Sequence, residues 1–213
     1  MPKGILGKKL GMTQLFTDNG DVVPVTVIQA GPCRVVQKKT PEKDGYAAVQ
    51  IGFGEKLKGV NKPMRGHFAA VQVVPAQKLV EFRTEDSKVM EDLQTGDEIR
   101  VETLFATGEY VDVIGTSKGK GFTGTVKRYG FSRGPMTHGS KYHRGVGSLA
   151  ATNQARVFKN RRMAGRMGHV RRTVQGVRIV KVDPERSLLL VQGSVPGANG
   201  SFVMIKETVK HKS

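Results

Sequence analysis

Apolar positions in this 213-residue chain fall mostly into short, β-branched runs. Val22 to Ile28, Arg34 to Gln37, Ala47 to Phe53, Ile99 to Leu104 and Tyr110 to Ile114 read as strands, most of them flanked by turn residues. Val174 to Val182, Leu188 to Val191 and Phe202 to Ile205 form a second group, separated by Asp183-Pro184 and by the turn Pro196 to Gly200. Asn19-Gly20 and Thr95-Gly96-Asp97 signal turns. Pro24, which has no N–H to donate, points to an edge or bulge position. From Asn61 to Glu91 the period is ambiguous, which reads as a small insertion with a short helix after Gly66. Many short strands joined by Gly-rich turns predict a mainly β fold, a closed barrel or a sandwich.

Between the two groups the pattern breaks. From Gly115 to Val170 only eight residues are Leu, Ile, Val or Phe, about 14% of the segment. A chain needs roughly 20% to build a core. Eleven glycines punctuate the stretch, and ordering each residue costs about 1–2 kcal/mol of backbone entropy. A partner must supply that free energy, or the segment stays disordered. Phe122, Tyr129, Phe131, Tyr142 and Phe158 sit among its charges, which a solvating tail would not need. Strand-like sequence flanks it on both sides, so it is an internal excursion. Long loops without structure of their own are usually functional.

Charge identifies the kind of partner. The chain carries 35 Lys and Arg against 18 Asp and Glu, a net charge of +17. Between Val113 and Val182 there are sixteen Lys and Arg and no carboxylate, which leaves 19 basic and 18 acidic side chains for the rest. Such segregation is what a polyanion selects for, so nucleic acid is the first partner to test. A single cysteine, Cys33, excludes an intramolecular disulfide and fits a reducing compartment. No apolar run approaches the roughly 18 residues of a membrane span, and the N-terminus lacks a signal-peptide core. A soluble, intracellular protein is expected.

Enzymatic motifs fail on context. Gly119 to Gly124 matches G-x-G-x-x-G, but no carboxylate follows until Asp183, where a dinucleotide site needs one about 20 positions on. Kinase catalytic motifs and a Walker loop are missing too. His138, His143 and His169 have no cysteine or carboxylate nearby to complete a metal site. General acid–base chemistry needs carboxylates at the substrate, and Asp18, Asp44, Glu85 and Asp86 are scattered in turn-like contexts. No catalytic residue, cofactor, metal or small-molecule substrate is expected.

Several long motifs are specific to one family. Gly4-Ile-Leu-Gly-Lys-Lys-Leu-Gly-Met-Thr-Gln-Leu-Phe16, Asn61-Lys-Pro-Met-Arg-Gly-His-Phe68 and Gly115-Thr-Ser-Lys-Gly-Lys-Gly-Phe122 occur in order. Arg133-Gly-Pro-Met-Thr-His-Gly-Ser140, Val157-Phe-Lys-Asn-Arg-Arg-Met-Ala-Gly165 and Val195-Pro-Gly-Ala-Asn-Gly200 follow them. Along essentially its whole length the chain resembles the L3 family of bacterial large-subunit ribosomal proteins. The resemblance implies a translation-protein-like β-barrel over residues 1–114 and 171–213, with a small α+β insertion at about 54–95. A basic extension, 115–170, would penetrate 23S rRNA toward the peptidyl transferase centre. It further implies a cytoplasmic, ribosomal location, a role early in large-subunit assembly, and ribosomal proteins uL14 and bL19 as neighbours. The stretch Gly145 to Ala150 departs from the family pattern, and Gly147 to Phe158 is one residue shorter than in the family. A glutamine methylated in some members therefore has no clear counterpart among Thr152, Asn153 and Gln154.

The residues expected to meet RNA are Lys118, Lys120, Lys127, Arg128, Arg133, His138, Lys141, His143, Arg144, Asn153, Gln154, Arg156, Lys159, Arg161, Arg162, Arg166, Arg171 and Arg172. Lysines and arginines would neutralise phosphates, the aromatics would stack, and the histidines and the turn near Asn153 would read local RNA shape. A DNA-compacting architectural protein is the alternative. It too would be cationic, but would usually present a dimer and a compact minor-groove wedge.

Overall fold

The computed structural model describes residues 3–84 and 93–210. Its internal contacts divide it into two units, Met1–Thr116 with Arg171–Ser213, and Ser117–Val170. In the first unit six strands close a barrel: β1 (Gly4–Phe16), β2 (Val22–Ala30), β7 (Tyr110–Thr116), β10 (Arg171–Asp183), β11 (Leu188–Gln192) and β12 (Phe202–Glu207). Their order is β1-β12-β7-β10-β11-β2, β2 returns to β1, and every neighbouring pair is antiparallel. Closure leaves no free sheet edge to template aggregation. Of the two architectures that the strand pattern allowed, the barrel is the one formed.

Strand alternation builds its core. Leu189 and Val191 on β11, and Val203 and Ile205 on β12, are buried while their neighbours are partly exposed. They meet Ile5, Ile28, Val111, Val113 and Ile179 in one cluster. Burying such a side chain stabilises by about 1.5–3 kcal/mol. Pro24 pairs with Gln14 of β1 but lies one residue beyond the last β2–β11 pair, so its missing N–H breaks no ladder there.

A second sheet, in the order β5 (Ala76–Arg83), β4 (Ala48–Glu55), β3 (Cys33–Lys39) and β6 (Glu98–Ile99), shares this core through Cys33, Val35, Val49, Ile51 and Phe53. A register shift between Val35 and Gln37 changes the alternation, and both Val35 and Val36 are buried. Val35 belongs to the main core, whereas Val36 packs with Phe68 and Val73. Phe68 comes from α2 (Lys62–Ala69). Short helices α1 (Pro41–Asp44) and α3 (Val101–Leu104) complete the unit.

Several expectations need correction. The run Ile99 to Leu104 is a strand only at its start. Val101 and Leu104, three apart, are buried on a single helical turn instead. The insertion's helix begins at Lys62, ahead of Gly66 rather than after it, with Pro63 in its first turn. Strands β1 and β5 were not expected. β1 is rich in Gly because its backbone runs close to its neighbours. A Cβ on Gly7 would stand 2.6 Å from the Gln29 carbonyl oxygen and 2.8 Å from Ile28 Cγ2. Lys9 of β1 is buried, and its Nζ donates to the Val195 carbonyl at 3.2 Å. The rest of the insertion, 85–92, with Glu85 and Asp86, lies outside the described residues.

Candidate nucleic-acid interface

The unit Ser117–Val170 stands between β7 and β10 in the chain. Its two ends run antiparallel as a stem. Ser117 N–H donates to the Val170 carbonyl at 2.9 Å, and His169 N–H returns to Ser117 at 3.2 Å. Lys120 N–H reaches Met167 and Met167 N–H reaches Gly121, both at 2.9 Å. The stem closes on β8 (Phe122–Thr123) paired with β9 (Gly165–Arg166). The glycine-rich Gly119–Gly124 is thus part of a paired stem, and the helix after it, α4 (Thr125–Tyr129), has only five residues.

Beyond α4 the backbone folds on itself with few side chains in between. Gly134 N–H donates to the His143 carbonyl at 3.1 Å, and His143 Nδ1 bonds the Pro135 carbonyl at 3.1 Å. A Cβ on Gly134 would collide with the Tyr142 carbonyl, and one on Gly145 with the Tyr142 ring. Arg161 Nη2 donates to the Ser148 carbonyl at 2.8 Å, and Arg128 Nη1 to the Met163 carbonyl at 2.7 Å. These two guanidiniums hold backbone turns that apolar contacts would hold elsewhere.

Nothing resembling a core exists here. Thr123 and Thr125 are the buried residues of this unit, and no apolar side chain joins them. Of its twelve Lys and Arg, Arg128 is half-buried and the others are exposed. With no carboxylate in the unit, their charge is uncompensated from within. Phe122 is 81% exposed, and Tyr142 and Phe158 are about half exposed. Among the described residues six non-glycine residues have left-handed φ, and four of them lie here: His138, Ala155, Asn160 and His169. Such backbone is strained, by about 1–3 kcal/mol for a residue such as alanine.

The expected contact residues spread along the whole unit. Lys118 and Lys120 lie on the stem, Lys127 and Arg128 on α4, and Arg166 on β9. Arg133, His138, Lys141, His143 and Arg144 belong to the bend. Asn153 and Gln154 are exposed on one 3-10 turn, Thr152–Gln154, followed by Arg156, Lys159, Arg161 and Arg162. Arg171 and Arg172 belong to the barrel unit instead, paired with Thr116 and Gly115 at the start of β10. One feature escaped the charge count. Tyr129 has the Arg128 guanidinium 5.0 Å and that of Arg162 5.7 Å from its ring centroid, with Phe131 at 6.2 Å. The adjacent Arg128-Tyr129 was the visible signal; the contribution of Arg162 depends on the fold. Exposed Met136, Val157 and Met163 carried no sequence signal at all.

Among the described residues no group of three His, Cys, Asp or Glu could hold a metal ion, and no helix is long and apolar enough to cross a membrane. Cys33 is buried under the Leu6 carbonyl, and burial pushes its thiol pKa up to about 12, which leaves it protonated and unreactive. The chain thus combines a closed-barrel unit with a cationic unit that has neither a core nor a carboxylate.

The family comparison gives that class a lineage. The model of ribosomal protein L3 matches residues 75–189. Large ribosomal subunit protein uL3 of Pelotomaculum thermopropionicum is 60% identical over 211 residues, 99% of each chain. Its counterpart from Carboxydothermus hydrogenoformans is 58% identical over the full length of both, and that from Desulforudis audaxviator is 58% identical over 99% of this chain and 97% of its own. The chain belongs to the ribosomal protein L3 family.

Proposed function

We propose that this chain is a non-enzymatic structural constituent of the large ribosomal subunit and binds 23S rRNA through residues 115–170. One observation carries the reading. A whole unit exposes cations and aromatic rings, has no carboxylate, and buries no apolar side chain of its own. Phosphates would compensate the charge, and unstacked bases would cover Phe122, Tyr142 and Phe158. Lys118, Lys120, Lys127, Arg133, Lys141, Arg144, Arg156, Lys159, Arg166, Arg171 and Arg172 neutralise the backbone. Arg128, Arg161 and Arg162 also position the turns they touch, while His138, His143, Asn153 and Gln154 read local shape. Residues 1–114 and 171–213 form the body from which this segment runs toward the peptidyl transferase centre. The protein joins early in assembly, in the cytoplasm, beside uL14 and bL19. Family membership and the relatives' name support the large subunit as the destination.

Reconstitution tests this directly. Labelled Arg161→Ala/Arg162→Ala chain competes with the parent for incorporation into large subunits. It should be outcompeted severalfold, and equal incorporation would remove these arginines from the interface. Binding to transcribed 23S rRNA should also exceed binding to duplex DNA of equal length at physiological salt. Equal affinities would favour a DNA-architectural role.

A further inference from the structure

We propose that the insertion carries a second RNA site, separate from residues 115–170, in which a nucleobase enters an apolar pocket beside α2 and its flanking phosphates meet Lys56, Lys58, Lys62 and Arg65. The barrel unit carries 23 Lys and Arg against 18 Asp and Glu, but in this part of it the balance is one-sided. From Lys56 to Val80 the sequence contains no Asp or Glu. Lys56, Lys58, Lys62 and Arg65 are all exposed. A cavity of about 350 Å³ opens beside Lys56 and Arg65, which line it together with Leu57, Val60, Phe68, Ala69, Val73 and Pro75. That is ample room for one base.

The arrangement is held in place. Phe68 is 1% exposed and anchors α2 against Val36 and Val73, while His67 Nε2 lies 2.9 Å from Gln50 Oε1 on β4. Anchored this way, α2 keeps Lys62, Met64 and Arg65 exposed. Leu57 is 79% exposed, Val74 42% and Met64 38%, so apolar surface stands open beside the cations. Apolar side chains with Lys56 and Arg65 in the same wall, and no carboxylate lining the cavity, favour a ligand that joins a flat apolar face to a phosphate. A nucleotide in a single-stranded or bulged RNA segment is such a ligand. An acidic protein segment could offer a ring and carboxylates, but not a phosphate joined to every ring as in a nucleotide chain.

This inference rests on the reading of the chain as an rRNA-binding protein, and the test separates the two. Transcribed 23S rRNA is titrated with the full chain across a range of salt. The variant Lys56→Ala/Lys62→Ala/Arg65→Ala should lower the slope of log K against log salt by about 2 to 3, since each lost phosphate contact removes about 0.7–0.9. Leu57→Ala should weaken binding severalfold and leave that slope unchanged. Ultraviolet cross-linking should give RNA-bearing peptides from 56–69. The three exposed positions make no buried contact, and an unchanged urea midpoint verifies that each variant is folded. Parent-like slope and affinity in the triple variant, with loss in Arg161→Ala/Arg162→Ala, would overturn the second site and leave the first standing. Parent-like behaviour in both would overturn the rRNA reading itself. Normal RNA binding by the triple variant, with lost association to other subunit proteins, would assign this face to protein and also overturn the site.

Discussion

The two units solve the problem of holding a shape in opposite ways. The barrel unit removes large apolar side chains from water: Ile5, Ile28, Ile179, Leu189 and Ile205 are each fully buried. The unit Ser117–Val170 buries only Thr123 and Thr125, and relies on backbone hydrogen bonds, close approaches at glycine and guanidiniums bonded to carbonyls. Charge divides the same way. Lys39 pairs with Glu81 and Arg100 with Glu98 in the barrel unit, whereas the other unit has no carboxylate to pair with. A region without a core or counter-charge of its own is completed by what it binds. Stability should therefore be a property of one unit and RNA affinity mainly of the other.

The largest expected effect tests that division. Ile179→Ala removes a fully buried side chain from the barrel core and should cost about 2–5 kcal/mol, read as a lower urea midpoint at unchanged m-value. Phe122→Ala removes a larger side chain that is 81% exposed, and should leave the midpoint where it was. A comparable loss in both would mean that the basic unit shares the barrel's stability, and the contrast would fail.

Glycines sharpen the comparison at a smaller scale. A methyl on Gly7 meets the Gln29 carbonyl and Ile28 in the barrel wall, so Gly7→Ala should cost about 1–3 kcal/mol of stability. A methyl on Gly134 meets the Tyr142 carbonyl, so Gly134→Ala should displace the bend that carries His138, Lys141 and His143. Its expected signature is weaker binding to transcribed 23S rRNA with an unchanged urea midpoint. The reverse pattern would contradict the division of labour.

The sequence disclosed these regions unevenly, for physical reasons. Strands such as β7, with β-branched Val111, Val113 and Ile114, and β11, with the apolar run Leu188 to Val191, were legible because they are short, apolar and bounded by turns. β1 was not, because Gly7 and buried Lys9 answer to close packing and to the Val195 carbonyl, which only the folded chain supplies. Val101 and Leu104 were mistaken for strand positions because a four-residue window cannot separate a period of 2 from one of 3.6. The basic unit was easy to find by its charge and its lack of apolar residues, both local properties. How it turns was not legible, since Arg161 reaches Ser148 and Arg162 reaches Tyr129 across long loops.

The smallest effect concerns a polar cluster in the barrel unit, and it asks whether charge there is self-contained. Tyr46 hydroxyl donates to Glu81 Oε2 at 2.8 Å, and Lys39 Nζ lies 3.1 Å from Glu81 Oε1. The Tyr46 hydrogen bond, with the Lys39 ammonium beside it, holds the Glu81 carboxyl below its ordinary pKa, against the opposing effect of burial. A carboxylate depressed in the folded state stabilises above its unfolded pKa, and that contribution is lost as pH falls through the folded value. Tyr46→Phe should therefore cost about 1 kcal/mol at pH 7, and the gap to the parent should shrink below about pH 4 as Glu81 takes up a proton. Urea midpoints of both chains at pH 7, 5 and 3 measure it. A gap that stays constant down to pH 3 would mean that Tyr46 stabilises by packing, with Arg83 and Lys39 over its ring, and not by fixing the carboxylate. If the gap closes, counter-charge in the barrel unit comes from its own side chains, whereas the basic unit has no carboxylate to supply it.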